Sequence, residues 1–179
     1  EEYYRKIIDV SSWTVSRGRA EYLDGEWGYS VDQYDSFLRG RWFEERETDE
    51  AGNEIPRDID LNNLPVMKLP TSWNTAAPQL FLYEGPMVFT RTFRFELSGE
   101  EERAVIKFHG AQYETFLFVN GRYIGVHRGG STGFCADITE AISSGSPRGH
   151  HRIVVVVEKK RRKNKIKEMN NEWFKYGGI

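Results

Sequence analysis

A single cysteine, Cys135, stands in this sequence, so no internal disulfide is available and the fold must rest on its apolar core. No apolar run is long enough to span a membrane; the longest are strand-sized. The opening residues, Glu1-Glu2-Tyr3-Tyr4-Arg5-Lys6, lack the apolar stretch of a secretory signal, and the segment is expected to be soluble with its compartment unassigned. A dominant charge is missing too. Lys plus Arg number 25 against 27 Asp plus Glu, and a net charge of -2 gives no broad field for nucleic acid or an anionic membrane. His109, His127, His150 and His151 form no metal-ligand spacing with carboxylates or with Cys135, so neither a metal nor another cofactor is expected. His127 is expected in a structural His-x-Gly-Gly turn, and Gly129-Gly130 precede a polar turn rather than a strand-to-helix junction, which excludes a phosphate loop. Internal repeats and low-complexity tracts are absent.

What remains is one domain's length of chain, 179 residues, rich in aromatics at 14%. Stretches with a period of two recur between turn signals: Val88 to Phe95, Ala104 to Phe108, Thr115 to Val119 and Ile153 to Val157. Asn120-Gly121 suits a type I′ turn, because both residues tolerate positive φ, and predicts a hairpin of Phe116–Val119 with Tyr123–Val126. Ile153 to Val157 is continuously apolar and β-branched, as expected of a strand buried on both faces; the charged Glu158 to Lys163 that follows is expected to leave the core. Residues 44 to 65, polar, acidic and broken by Gly52, Pro56 and Pro65, read as a surface excursion. Asp137 to Ile142 predicts one short helical turn before the loop at Ser143 to Pro147. The pattern indicates an all-β fold, a sandwich or jelly roll with little helix.

Several segments, in order along the chain, carry a more specific signal. Leu23-Asp24-Gly25-Glu26-Trp27 is followed by Leu69-Pro70-Thr71-Ser72-Trp73-Asn74 and then by Tyr83-Glu84-Gly85-Pro86 leading into Val88 to Phe93. The hairpin then runs into His127-Arg128-Gly129-Gly130-Ser131-Thr132-Gly133-Phe134 and the Asp137-Ile138-Thr139 turn, and the sequence closes on Glu172-Trp173-Phe174-Lys175-Tyr176-Gly177-Gly178-Ile179. Together they resemble the amino-terminal sugar-binding domain of glycoside hydrolase family 2, of the β-glucuronidase or β-galactosidase type. The resemblance implies a galactose-binding-like jelly roll over residues 1–179. It also implies a parent chain that continues into a final strand, a further sandwich and a (β/α)8 barrel.

It further implies a retaining exo-β-glycosidase acting on a terminal glucuronide or galactoside. Such enzymes need two carboxyl groups about 5 to 5.5 Å apart, and in this family both belong to the barrel. No catalytic residue is therefore expected here, and the segment alone is expected to be inactive. Glu44-Glu45 and Glu100-Glu101-Glu102 read as solvated charge runs. The resemblance puts Glu172 at the position of an Asp that reaches from this domain to a hydroxyl of the terminal sugar, with Trp173 and Lys175 beside it as substrate-binding candidates. The sequence departs from the family at two places: Glu172 is one methylene longer than Asp, and Lys175 replaces Asn. A structural cap at Glu172 and a surface location for Lys175 remain open, although an ammonium could also pair with a uronic acid's carboxylate.

Trp27 and Trp73 lie inside the motifs and read as core, whereas Trp42 and Trp173 are the better candidates for an exposed face that stacks on a pyranose ring. Glu158 to Lys167 holds seven cations in ten residues and, without interleaved aromatics, reads as a solvated loop. Expected partners are the terminal sugar at the domain edge, the chain's own barrel, and a second copy in a homo-oligomer; nucleic acid and membrane are not among them. Two rival readings stand beside the enzyme part: a free-standing carbohydrate-binding module, and an interaction domain without sugar contact.

Overall fold

A computed structural model describes residues 4, 6–8, 20–44, 51, 59–130, 132–144 and 149–159. Among these residues eight strands are formed: β1 (Gly25–Val31), β2 (Val66–Leu69), β3 (Met87–Arg94), β4 (Val105–Phe108), β5 (Glu114–Val119), β6 (Arg122–Arg128), β7 (Phe134–Asp137) and β8 (His150–Glu158). Three short helices, α1 (Ser36–Arg39), α2 (Trp73–Ala76) and α3 (Thr139–Ser143), and a 3-10 turn at Pro78–Leu80 lie between them. Six strands make one antiparallel sheet in the order β2-β1-β3-β8-β5-β6, and β4 pairs with β7 in a second. The result is a jelly-roll β-sandwich, as the strand pattern indicates.

The apolar run of β8 explains the architecture. Side chains alternate across a strand, so a strand that is apolar at every position must bury both faces. Ile153, Val155 and Val157 enter one core with Phe89, Leu117, Val119 and, from the smaller sheet, Ile106, Phe108, Phe134 and Ala136. Val154 and Val156 enter a second core with Val88, Phe116, Phe118 and Val126. This second face is covered not by a sheet but by Phe37, Phe43 and Leu61, with Tyr4, Ile59 and Leu64 packed alongside. Phe43 stacks on Phe118 with ring centroids 4.0 Å apart.

The predicted hairpin is present: Asn120 has φ 50° and Gly121 φ 75°, the left-handed pair that a type I′ turn requires. Asn120 also ties the hairpin to the rest of the fold. Its side chain donates to the Ala141 carbonyl at 2.9 Å and accepts from the Arg152 amide at 3.0 Å.

The structure corrects three expectations. Glu158 does not leave the core; it is the buried last residue of β8, opposite Glu114 of β5 in register. Residues 59–65 of the excursion are not merely surface, since Ile59, Leu61 and Leu64 help to cover the second core. His127 lies within β6 rather than in a turn, because pairing with β5 continues through Arg128.

Candidate functional site at one end of the large sheet

The registers bring five strand ends into one row. Val31 pairs with Met87, Met87 with Val157, Val157 with Thr115 and Thr115 with His127. From this row spring the Tyr83–Pro86 loop ahead of β3 and the His127–Gly130 motif at the end of β6, and β8 ends there at Glu158. Glu172, Trp173 and Lys175 themselves lie outside the described residues.

Beside the row, Trp73 and Asn74 act as a hub. Trp73 is fully buried and packs 6.1 Å from Phe89, fixing the backbone that presents Asn74. The buried Asn74 amide nitrogen is ringed by three carbonyl oxygens, those of Leu80 at 2.9 Å, Phe81 at 3.0 Å and Tyr83 at 3.2 Å. One side chain thereby holds a loop that has no ladder of its own. The Asn74 side-chain oxygen accepts from the ammonium of Lys159 at 3.5 Å, which ties the end of β8 to the same loop.

The Tyr83 hydroxyl donates to the Pro86 carbonyl at 2.7 Å. Burial, reinforced by the charges of Asp32 and Asp35, pushes this phenol up to about 12, so it stays protonated. Asp32, also buried, accepts from the amides of Ser36 at 2.8 Å and Phe37 at 2.9 Å and thereby starts α1. At the far side of the row Arg128 donates to Glu114 at 2.6 Å.

The His-x-Gly-Gly motif is structural. His127 lies flat on Phe134, and burial lowers its pKa, so it serves as an uncharged packing ring. Its Nδ1 atom and the Oγ1 of its strand partner Thr115 are buried without a hydrogen-bond partner among the described residues. Gly129 has φ 141°, a backbone that side-chain-bearing residues rarely adopt. Arg91, from the third motif, reaches back to the first, donating to the carbonyls of Leu23 and Asp24 at 2.8 Å each.

Of the aromatic candidates, Trp27 and Trp73 are core, as expected. Trp42 is half-buried with its edge against Phe37, so it is not a free stacking platform; Trp13 and Trp173 lie outside the described residues. Among the described residues no group of three or more His, Cys, Asp or Glu is placed to hold a metal ion, and no helix is long and apolar enough to cross a membrane. The sequence reading missed one concave feature, a groove of about 600 Å³ along β2 with Tyr29, Lys68, Thr71 and Gln79 in its lining. No local motif marks it, because it is assembled from an edge strand and a turn that meet only in the fold.

The family described as glycosyl hydrolases family 2, sugar binding domain, matches residues 20–179. The chain belongs to this family. Among relatives of the family 2 domain, a β-galactosidase of Thermoanaerobacter pseudethanolicus is 32% identical over 93 residues, covering 50% of this chain and 12% of that one. Solved β-glucuronidases of an uncultured Clostridium sp., of Lactobacillus rhamnosus and of Ruminococcus gnavus each share the fold with a TM-score of 0.66. Their identities are 23%, 21% and 18%; the match covers 89%, 88% and 88% of this chain and 27%, 26% and 26% of theirs. The family 2 domain thus spans about a quarter of the length of these solved relatives and a smaller share of the galactosidase.

Proposed function

We propose that this chain is the non-catalytic sugar-binding and structural domain of a retaining exo-β-glycosidase acting on a terminal β-glucuronide or β-galactoside. In this reading residues 1–179 form one domain that precedes its final strand, a further sandwich and a (β/α)8 barrel. The domain packs against the barrel, shapes its pocket from one side and helps to fix a homo-oligomer. Glu172 contacts a hydroxyl of the terminal sugar, with Trp173 and Lys175 beside it. The observation that carries the proposal is the match of residues 20–179 to the family 2 sugar-binding domain, supported by the meeting of Asn74, the Tyr83 loop and Lys159 at the end of β8.

The described acids support a role in recognition rather than turnover. Asp137, for example, is committed to structure. Burial acts to raise its pKa, but hydrogen bonds from Thr139 and the charge of Arg103 outweigh this and hold the carboxyl below its usual range. Thr139 donates its amide at 2.9 Å and Arg103 its guanidinium at 2.8 Å. Such a carboxylate is poorly suited to donate a proton to a leaving group.

The test is hydrolysis of aryl β-glucuronide and aryl β-galactoside by a chain carrying this segment fused to its downstream domains, beside the 179-residue segment alone. Turnover of one substrate by the long chain, reduced by Glu172→Ala, with an inert segment, is the expected outcome. A long chain that binds sugar without turnover would overturn the reading in favour of a binding module.

A further inference from the structure

The turn between β5 and β6 is held from outside the hairpin. The Asn120 amide donates to the Arg152 carbonyl at 2.9 Å, and the Asn120 side-chain oxygen accepts from the Arg152 amide at 3.0 Å. The side-chain nitrogen donates to the Ala141 carbonyl at 2.9 Å and faces Nδ1 of His151 at the same distance. An amide on one side and a carbonyl on the other fix which way the Asn120 side chain points. His151 is buried, and its Nε2 lies 2.9 Å from the Phe95 carbonyl, which only accepts. Nε2 therefore carries the hydrogen, and Nδ1 accepts from Asn120. Three side-chain bonds thus latch the turn to α3 and β8.

The same two residues hold a latent reaction. Asn120-Gly121 is the one Asn-Gly pair in the sequence, and glycine puts no side chain in the way of its own backbone nitrogen. That nitrogen can attack Cγ of Asn120. The N–Cγ bond forms, the Cγ–Nδ2 bond breaks, and the Gly121 amide proton passes through solvent to Nδ2, which leaves as ammonia. Water then opens the resulting succinimide ring at one of its two carbonyls. Opening at Cγ leaves aspartate at position 120, and opening at the main-chain carbon leaves isoaspartate. One water is consumed and one ammonia released, with no change of oxidation state.

In the folded protein the reacting groups are held out of place. For attack, the side chain must swing toward Gly121, which means giving up the bonds to Ala141, His151 and Arg152. We infer that Asn120-Gly121 is a modification site gated by this latch: Asn120 converts to aspartate or isoaspartate only when the turn is released from α3 and β8. Conversion then removes the latch for good. A carboxylate has no hydrogen to give to the Ala141 carbonyl or to Nδ1 of His151, and isoaspartate lengthens the main chain of a two-residue turn. The site is independent of the sugar contact proposed for Glu172.

The experiment ages the folded protein and the same protein in guanidinium chloride, at one pH and temperature, and follows residue 120 by peptide mapping with mass spectrometry. Conversion roughly a hundredfold faster in denaturant is expected, since three hydrogen bonds at about fivefold each restrain the folded side chain. His151→Phe keeps a ring against Phe93 and removes one acceptor, and should speed conversion in the folded protein about fivefold. Gly129→Ala strains the backbone just beyond the other end of β6 and should leave the folded rate unchanged, because the opening that matters is local. Equal rates in the folded and denatured protein, or no conversion in either, would overturn the inference without any substitution being needed. So would a folded rate insensitive to His151→Phe, or one raised equally by both substitutions, which would make global unfolding the gate.

Discussion

The imidazole of His127 lies on the ring of Phe134 with centroids 4.2 Å apart and planes 16° from parallel, clamping the end of β6 to the start of β7. Burial makes the charged imidazolium unfavourable there, so the folded pKa lies below the ordinary value of 6.5. In the unfolded chain the ring takes up a proton at that ordinary value. Stability is therefore expected to fall as pH drops through about 6.5 toward the folded pKa. Above that window the ring is neutral in both states and contributes no slope. His127→Phe keeps a ring on Phe134 and should flatten thermal stability across this interval; an unchanged slope would show that the loss of stability arises elsewhere.

Asn74→Ala should cost about 2–3 kcal/mol, because three loop carbonyls lose the donor that gathers them. Chemical denaturation measures the loss. Hydrogen exchange should show its local form, with faster exchange at the amides of Leu80, Phe81 and Tyr83 and little change at β5.

Asp137→Ala should destabilise by about 1 kcal/mol, a typical value for removing a side chain that accepts from the first turn of a helix. The sign with pH is opposite to a raised carboxyl. The folded pKa is depressed, so the contribution is present above the ordinary 3.8 and is lost as pH falls through the folded value. Asp137→Asn should retain part of the stability at neutral pH and lose the dependence, as acid titration of the two variants against the parent would reveal.

Gly129→Ala should cost about 1–3 kcal/mol, since a φ of 141° is strained for any residue with a Cβ. The added methyl also lies 3.4 Å from Thr132 and 3.5 Å from His127, ordinary contact, so the loss is one of backbone conformation rather than a clash. Calorimetry on Gly129→Ala beside Gly99→Ala, whose added methyl meets nothing within 4 Å, separates the two causes.

Where an element announced itself in the sequence, a single local rule was responsible. Asn120-Gly121 specifies its turn through φ alone, and Ile153 to Val157 declares burial on both faces by having no polar position. Elements set by long-range partners left no such mark. The four residues of α1 and of α2 are too few for helical periodicity, and β7 is half-exposed Phe-Cys-Ala-Asp that becomes a strand by pairing with β4. Glu158 reads as a boundary because it is charged, yet its register opposite Glu114 keeps it in the sheet. Of the motif residues, His127 and Asn74 brace the fold through contacts with distant partners that no local spacing announces. The β2 groove was illegible because Tyr29, Lys68 and Gln79 share no spacing rule.

The position of β8 in the sheet has a further consequence for how the molecule is made. It lies between β3 and β5, pairing with both, yet it is the last of the eight described strands to be synthesised. Until residue 158 has left the ribosome, the half-sheet built on β1, β2 and β3 and the hairpin of β5 and β6 have no strand to join them. Each exposes an unpaired edge and apolar side chains, the state in which nascent chains associate wrongly. Joining the two halves is thus a single late event in which one strand contributes to both cores at once, and a chaperone that shields the edges of β3 and β5 would act during that interval.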